Sequence, residues 1–95
     1  MLVLTKTETR ADINTPFYDP PVEYYIYLQK YNDIRRNELH GWTPSSDGLS
    51  RVSVTQFNTE QDYNIFLADS EVVACKAIID EYNSSNNIIT TIVLT

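Results

Sequence analysis

A triad-type relay or a histidine-rich metal site would have to use His40, because it is the only histidine in the sequence. Its position beside Gly41 is more typical of a surface or partly buried histidine without a chemical role. No serine or cysteine lies in a recognisable nucleophile motif, and two glycines are too few for a phosphate-binding loop. No ligand spacing indicates a metal site. The sequence therefore argues against hydrolase and kinase chemistry and predicts no cofactor and no metal.

Acidic residues occur in close pairs that could indicate a calcium site or a carboxylate dyad. Most of these pairs lie at predicted helix N-termini, where negative charge stabilises the helix dipole. We therefore interpret them as capping residues. The pairs are Asp19/Glu23, Glu60/Asp62, Asp69/Glu71 and Asp80/Glu81.

Tyrosine is unusually frequent, with seven in the chain. The cluster formed by Tyr18, Tyr24, Tyr25, Tyr27 and Tyr31 could line a pocket for an aromatic ligand or supply an interface, where tyrosine is enriched. Helix packing explains part of the cluster. The remainder is the most informative functional feature of the sequence.

The elements that must position these residues begin with a predicted strand over residues 2–10, followed by a proline-rich loop. Asp19 precedes two prolines and suits the N-cap of a helix with body Val22–Asn37. Tyr24, Leu28 and Tyr31 have helical spacing. The stretch Tyr24–Leu28 also has high β-propensity, so helix and strand both stay open there.

A second strand is predicted at Leu39–Thr43, a turn at Pro44–Gly48 and a third strand at Leu49–Phe57. The second and third strands should pair antiparallel across the turn. Alternation places Val52 and Val54 on one face of the third strand and Phe57 on the other.

Two helices and a strand should follow. Thr59 with Asp62 resembles a capping box, and Asp69 suits the N-cap of a longer helix. That helix has one apolar face, made of Val72, Cys75, Ile79 and Tyr82. Ile88–Leu94 is a continuous β-branched run that is typical of a central or interfacial strand.

The element order βαββαβ predicts a single ferredoxin-like α+β domain over residues 1–95. It should consist of a four-stranded antiparallel sheet with both helices on one face. The open face would then carry Phe57, Trp42 and the C-terminal apolar run, which is more apolar surface than a sheet exposes to water. Face-to-face pairing of two copies into a dimeric α/β barrel would bury it.

Charge and composition exclude several classes of function. The net charge of −6 disfavours nucleic-acid and membrane binding. Cys75 is the only cysteine, so no internal disulfide can form. No signal peptide and no apolar run of about 18 residues is present, which predicts a location in the cytoplasm, of a host cell for a phage protein, or in a virion.

Two stretches of the C-terminal half resemble the dimeric α/β-barrel superfamily that contains the antibiotic-biosynthesis monooxygenases. They are Asp47–Phe57, a strand ending in an aromatic residue, and Phe66–Val73, where an acidic turn leads into a longer helix. They are also similar to short uncharacterised proteins of large tailed bacteriophages. Enzymes of the superfamily oxidise aromatic polyketides without a cofactor, or open haem. The resemblance implies that Asn37, His40 and Trp42 are the candidate catalytic residues.

Two functions are compatible with these features. The first is a non-enzymatic assembly or interaction protein, homodimeric and phage-encoded, and the lack of a chemical motif favours it. The second is a cofactor-independent, monooxygenase-like or small-aromatic-ligand-binding dimer, whose cavity His40, Trp42 and Asn37 would line. A cavity of a few hundred cubic ångströms separates the two hypotheses. The predicted interface residues of the first are Tyr24, Tyr27, Tyr31, Phe57 and Ile92.

Overall fold

The computed structural model describes residues 1–37 and 41–95, which form one antiparallel sheet with helices packed on one face. The strands are β1 (Leu2–Thr9), β2 (Arg35–Asn37), β3 (Thr43–Pro44), β4 (Ser50–Phe57) and β5 (Ile89–Leu94). The helices are α1 (Val22–Leu28), which a 3-10 turn extends over Gln29–Tyr31, α2 (Glu60–Leu67) and α3 (Ser70–Ser85).

The sheet has the strand order β2–β4–β1–β5, with β3 also beside β4. The central pair runs in register from Leu2 opposite Phe57 to Thr9 opposite Ser50. The short strands β2 and β3 pair with opposite ends of β4 and together take the place of one strand. The arrangement confirms the predicted ferredoxin-like α+β fold and its antiparallel pairing.

The first helix is shorter than the predicted Val22–Asn37. The tyrosine-rich stretch Tyr24–Leu28 is helical, but Arg35–Asn37 forms β2 and pairs with Thr55–Phe57. Pairing with an exposed edge of β4 therefore overrides the local helical pattern. The N-cap is Pro21, whereas the carboxylate of the predicted cap, Asp19, accepts a hydrogen bond from Arg51.

The remaining boundaries agree closely with the sequence, apart from the second strand. Its predicted residues Leu39 and His40 lie outside the described part of the chain. Within the described part, the strands in this region are Arg35–Asn37 and Thr43–Pro44. The turn has Gly48 at φ +74°, as an Asp-Gly pair predicts. The β-branched final strand β5 pairs with β1 at an edge of the sheet, so the prediction of a central strand is wrong.

Side-chain caps fix the two C-terminal helices. The Thr59 hydroxyl accepts a hydrogen bond from the Asp62 amide, and the Asp69 carboxylate accepts from the amides of Glu71 and Val72. Both predicted caps are confirmed. At the C-terminus of α3, Asn87 adopts φ 56° and the Ile88 amide donates to the Asn83 carbonyl, the pattern of a Schellman cap.

Candidate functional site

The sheet face under the helices carries charged and polar side chains among its apolar ones, which departs from the usual arrangement. A sheet covered on one face normally turns apolar side chains toward its cover and polar ones toward water. Here Val52 and Val54 lie on the open face instead, because they alternate with inward polar residues of β4. The buried polar side chains of the covered face are Glu8, Arg51, Ser53 and Thr55, none more than 9% exposed.

A cavity of about 200 Å³ lies between this polar face and the helices. Because an apolar cavity of about 150 Å³ can hold benzene, the volume suits a single-ring molecule. Most of its wall is aromatic or aliphatic. The aromatic lining residues are Tyr18, Tyr24, Tyr25, Trp42, Phe57, Tyr63 and Phe66, and the charged ones are Lys6, Glu8, Arg35, Arg51 and Lys76.

Arg51 organises one end of the cavity through a buried ionic network. Its Nε donates to Glu8 Oε1 at 2.7 Å and its Nη1 donates to Asp19 Oδ1 at 2.7 Å. Its Nη2 donates to the Tyr18 carbonyl at 2.8 Å, which fastens the proline-rich loop to the sheet. The second oxygen of Glu8 accepts from Asn83 Nδ2 at 2.8 Å. Both charges are thus fully paired, as burial requires.

Aromatic rings enclose the same guanidinium. The Arg51 Cζ atom lies 4.0 Å from the centroid of the Trp42 ring and 4.5 Å from that of Phe17. Lys6 Nζ lies 5.9 Å from the Trp42 centroid. Cation–π attraction of this kind is stronger when the cation is desolvated. Trp42 is therefore held in place at the cavity wall by two cations.

Two cations of the cavity, Lys6 and Arg35, have no anionic partner among the described residues. Burial lowers the pKa of Lys6, an effect that the nearby Glu8 opposes. Burial likewise lowers the pKa of Arg35. Within the described residues, Arg35 therefore brings a positive charge without a counter-ion to a poorly solvated place.

The single cysteine is not activated as a nucleophile. Cys75 is buried, and burial raises the pKa of its thiol. Burial, with a smaller contribution from Cys75, also raises the pKa of the Tyr24 hydroxyl. Both groups stay protonated near neutral pH, so neither supplies an anion to the cavity.

Two of the clustered tyrosines have a structural role that the sequence did not reveal. Tyr27 and Tyr31 both donate hydrogen bonds from their hydroxyls to Oδ2 of Asp69, and Lys30 Nζ lies 3.3 Å from the same oxygen. Since Asp69 also caps α3, this cluster ties α1 and its 3-10 turn to the start of α3. Hydrogen bonds from Tyr31 and Tyr27 lower the pKa of the Asp69 carboxyl.

This cluster predicts a pH-dependent contribution to stability. Because the pKa of Asp69 is lower in the folded state than its unfolded value of about 3.9, its stabilisation is complete above that value. It is lost as the pH falls through the folded-state pKa. The Tm difference between the wild type and Asp69→Asn should stay constant from neutral pH to about pH 5 and narrow below about pH 4. A constant difference across the acid range would contradict this role.

The structure assigns different positions to the residues predicted for the site. Trp42 lines the cavity. Asn37 is the last residue of β2, opposite Thr55, and His40 lies outside the described residues. Sequence reasoning missed three charged residues of the site, Lys6, Glu8 and Arg51, although the alternation of β1 and β4 is visible in the sequence. The reason is that charged side chains rarely point inward from a sheet face that helices cover.

The predicted interface residues also separate into groups. Phe57 is 2% exposed and packs against Tyr63 and Phe66 at centroid distances of 5.0 and 5.4 Å. Phe57 and Trp42 belong to the helix-covered face, so their predicted exposure on the open face is wrong. The physical reason for Phe57 is the alternation of β4, which puts it on the same face as Ser53 and Thr55, against the aromatic residues of α2. Ile92 remains 46% exposed on β5.

Comparison with solved structures identifies the fold. A candidate antibiotic biosynthesis monooxygenase from Deinococcus radiodurans superposes with a TM-score of 0.57 at 10% identity, over 100% of this chain and 90% of that one. An uncharacterised NIPSNAP domain protein from Burkholderia xenovorans superposes with a TM-score of 0.55 at 18% identity, over 100% of this chain and 92% of that one. The chain has the ferredoxin-like fold of these proteins. Rv0793 from Mycobacterium tuberculosis superposes with a TM-score of 0.53 at 12% identity, over 98% of this chain and 93% of that one.

No protein-family profile and no curated protein matches the sequence. In residues 1–37 and 41–95, no helix is both long and apolar enough to cross a membrane. Within the same residues, no group of three or more His, Cys, Asp or Glu side chains is placed to hold a metal ion.

Proposed function

We propose that this protein binds a small aromatic molecule in the cavity between its sheet and its helices. The observation that carries the proposal is the group of charged and polar side chains that the sheet places in a largely apolar and aromatic cavity of about 200 Å³. Burying this many polar groups away from water lowers the stability of the fold. A loss of stability of this kind is common at binding sites. An apolar pocket with a few placed polar groups is the usual form of a ligand site.

The aromatic walls define the class of ligand. Tyr24 and Tyr25 from α1 face the sheet across the cavity, and Phe66 from α2 closes one side. Ring–ring contacts of offset or edge geometry add to the gain from burying apolar area. The similarity in fold to a candidate antibiotic biosynthesis monooxygenase is compatible with an aromatic ligand. Oxidation of that ligand would be a further step, for which His40 and Asn37 stay candidates.

Binding can be followed through Trp42, the only tryptophan of the chain and a cavity-lining residue. Titration with a panel of single-ring aromatic compounds, neutral and anionic, should produce a saturable change in its fluorescence. Saturation-transfer NMR on the same compounds reports contact independently of the indole. A panel without any saturable response by either method would contradict the proposal.

A homodimer formed through the open sheet face is a second candidate property, which the exposed apolar side chains on that face favour. Val52 and Val54 of β4 lie there, and so do Ile89 and Val93 of β5, which are 68% and 50% exposed. Thr5 and Thr7 of β1 lie between the apolar residues of β4 and those of β5. Exposed apolar side chains on one face of a sheet favour an interface. Pairing of two such faces would leave the cavity of each copy on the outer side of its sheet, so assembly and ligand binding are compatible.

The dimer proposal predicts a clear change in mass on charge insertion. Wild-type protein should scatter light as a species of twice 11.0 kDa. Val54→Lys, which places a charge in the middle of the open face, should give a monomer. Val73→Lys is the matched control, because Val73 is 53% exposed on α3 on the helix side. A monomeric wild type, or a dimer that survives Val54→Lys, would count against this interface.

A further inference from the structure

One buried hydrogen-bond donor of a cavity-lining residue has no acceptor in the described part of the chain. Among the described residues, Nε of Arg35 is fully buried and no hydrogen bond satisfies it. Buried donors without partners are rare in folded proteins, and a charged one is especially unfavourable. Arg35 is the first residue of β2, beside Phe57, and its guanidinium carbon lies 5.1 Å from the centroid of the Phe66 ring. The donor is thus placed next to an aromatic wall.

The charges around the cavity do not balance among the described residues. Arg51 pairs with two carboxylates, Glu8 and Asp19, and Lys76 pairs with Asp80 at 2.8 Å. The Arg51 network therefore carries one surplus negative charge, and its Glu8 carboxylate acts on nearby Lys6. Arg35 is left at the cavity without a counter-ion in the described part of the chain. An occupant that brings negative charge would correct this imbalance.

We infer that the ligand is a small aromatic acid whose carboxylate is bound by Arg35. This inference rests on the proposed function, since it specifies what the cavity holds. A guanidinium presents parallel N–H donors that match the two oxygens of a carboxylate. The ring of the same molecule would lie against Phe66 and Tyr24, which line the cavity near Arg35. Lys6, nearer the middle of the sheet, adds a favourable long-range field.

Benzoate and benzamide separate the two proposals because they have nearly the same shape and differ in charge. On wild-type protein at low salt, benzoate should bind at least about tenfold more tightly than benzamide. Equal affinity for both would overturn the assignment of an acid while leaving aromatic binding intact. Failure of both, with no response to neutral aromatics, would overturn the proposed function and this inference together.

Neighbouring arginines supply a matched pair of variants. Arg35→Gln should abolish the preference for benzoate, whereas Arg36→Gln should keep it, because Arg36 is exposed and alternates to the opposite face of β2. Arg35→Lys should retain part of the preference. Loss of the preference in Lys6→Gln but not in Arg35→Gln would overturn Arg35 as the binding residue.

The inference can also be tested without a substitution, in case Arg35→Gln does not fold. The Nε–H signal of Arg35 should move in the ¹⁵N–¹H spectrum when benzoate is added and should move much less with benzamide. A benzoate titration that saturates elsewhere in the protein while this signal stays unchanged would contradict the assignment.

Discussion

Replacing Arg51 with methionine should lower the free energy of unfolding by about 3–5 kcal/mol, the typical loss when one partner of a buried ion pair is removed. The substitution leaves the Glu8 carboxylate 1% exposed without its cation and frees the proline-rich loop that Arg51 holds through Tyr18 and Asp19. Urea unfolding followed by circular dichroism measures the change. For a domain of this size, such a loss is a large part of the total stability.

Two controls make this prediction specific to burial. Lys76→Met removes an exposed ion pair with Asp80 and should change stability by about 0.5 kcal/mol or less. The double variant Glu8→Met with Arg51→Met removes both buried charges and should recover most of the loss. A loss below about 1 kcal/mol for Arg51→Met alone would show that the network is not a buried one.

Filling the cavity from its floor should remove ligand binding with a smaller effect on the fold. Ser53 is 9% exposed and lies on β4 between Arg51 and Thr55, at the centre of the polar face. Ser53→Phe would occupy much of the 200 Å³ and should weaken binding of any aromatic ligand by about tenfold or more. The accompanying loss of stability should be about 1–3 kcal/mol, as for overpacking elsewhere.

Val54→Phe is the control for this prediction. Val54 follows Ser53 in β4, and its side chain lies on the open face of the sheet. It adds a phenyl ring of the same size outside the cavity and should leave ligand affinity unchanged. Saturation-transfer NMR on both variants, with the compounds that bind the wild type, makes the comparison. Undiminished binding by Ser53→Phe would place the ligand somewhere other than this cavity.

Lys6 shows how a buried charge can reduce the stability of the fold while it contributes to a binding site. Burial disfavours its ammonium, whose nearest aromatic contact is Trp42. The pKa of Lys6 is lower in the folded state than in the unfolded state, so the unfolded state binds more protons between these two pKa values. The loss of stability caused by Lys6 is therefore complete below the folded-state pKa and disappears above about pH 10.4. Such a group persists most readily where it contributes to a site.

Local signals predicted the fold where short-range chemistry decides it. Thr59 and Asp69 were recognisable as caps because the acceptor and the amides it binds are close in sequence. The final strand followed from a β-branched run. By contrast, the end of α1 depends on the pairing of Arg35–Asn37 with β4, a contact between distant segments that no local pattern contains.

The candidate site was harder to predict than the fold. Alternation in β4 correctly separated Val52 and Val54 from Phe57, but it could not say which set faces the helices. The usual rule of apolar residues inward fails here, since the covered set also contains Arg51 and Ser53. Sites are the places where local consistency is expected to break down.

The central claim is that the cavity under the helices binds a small aromatic molecule, and mapping of a bound compound by ¹⁵N–¹H NMR tests it most directly. During titration of the wild type with benzoate, saturable shifts should concentrate at the Trp42 indole N–H and the Thr55 methyl group, with the open-face methyl groups of Val52 and Val54, followed in the matching ¹³C–¹H spectrum, less affected. Saturable shifts confined to the open face, or no saturable shifts with benzoate or a neutral aromatic compound, would contradict the claim.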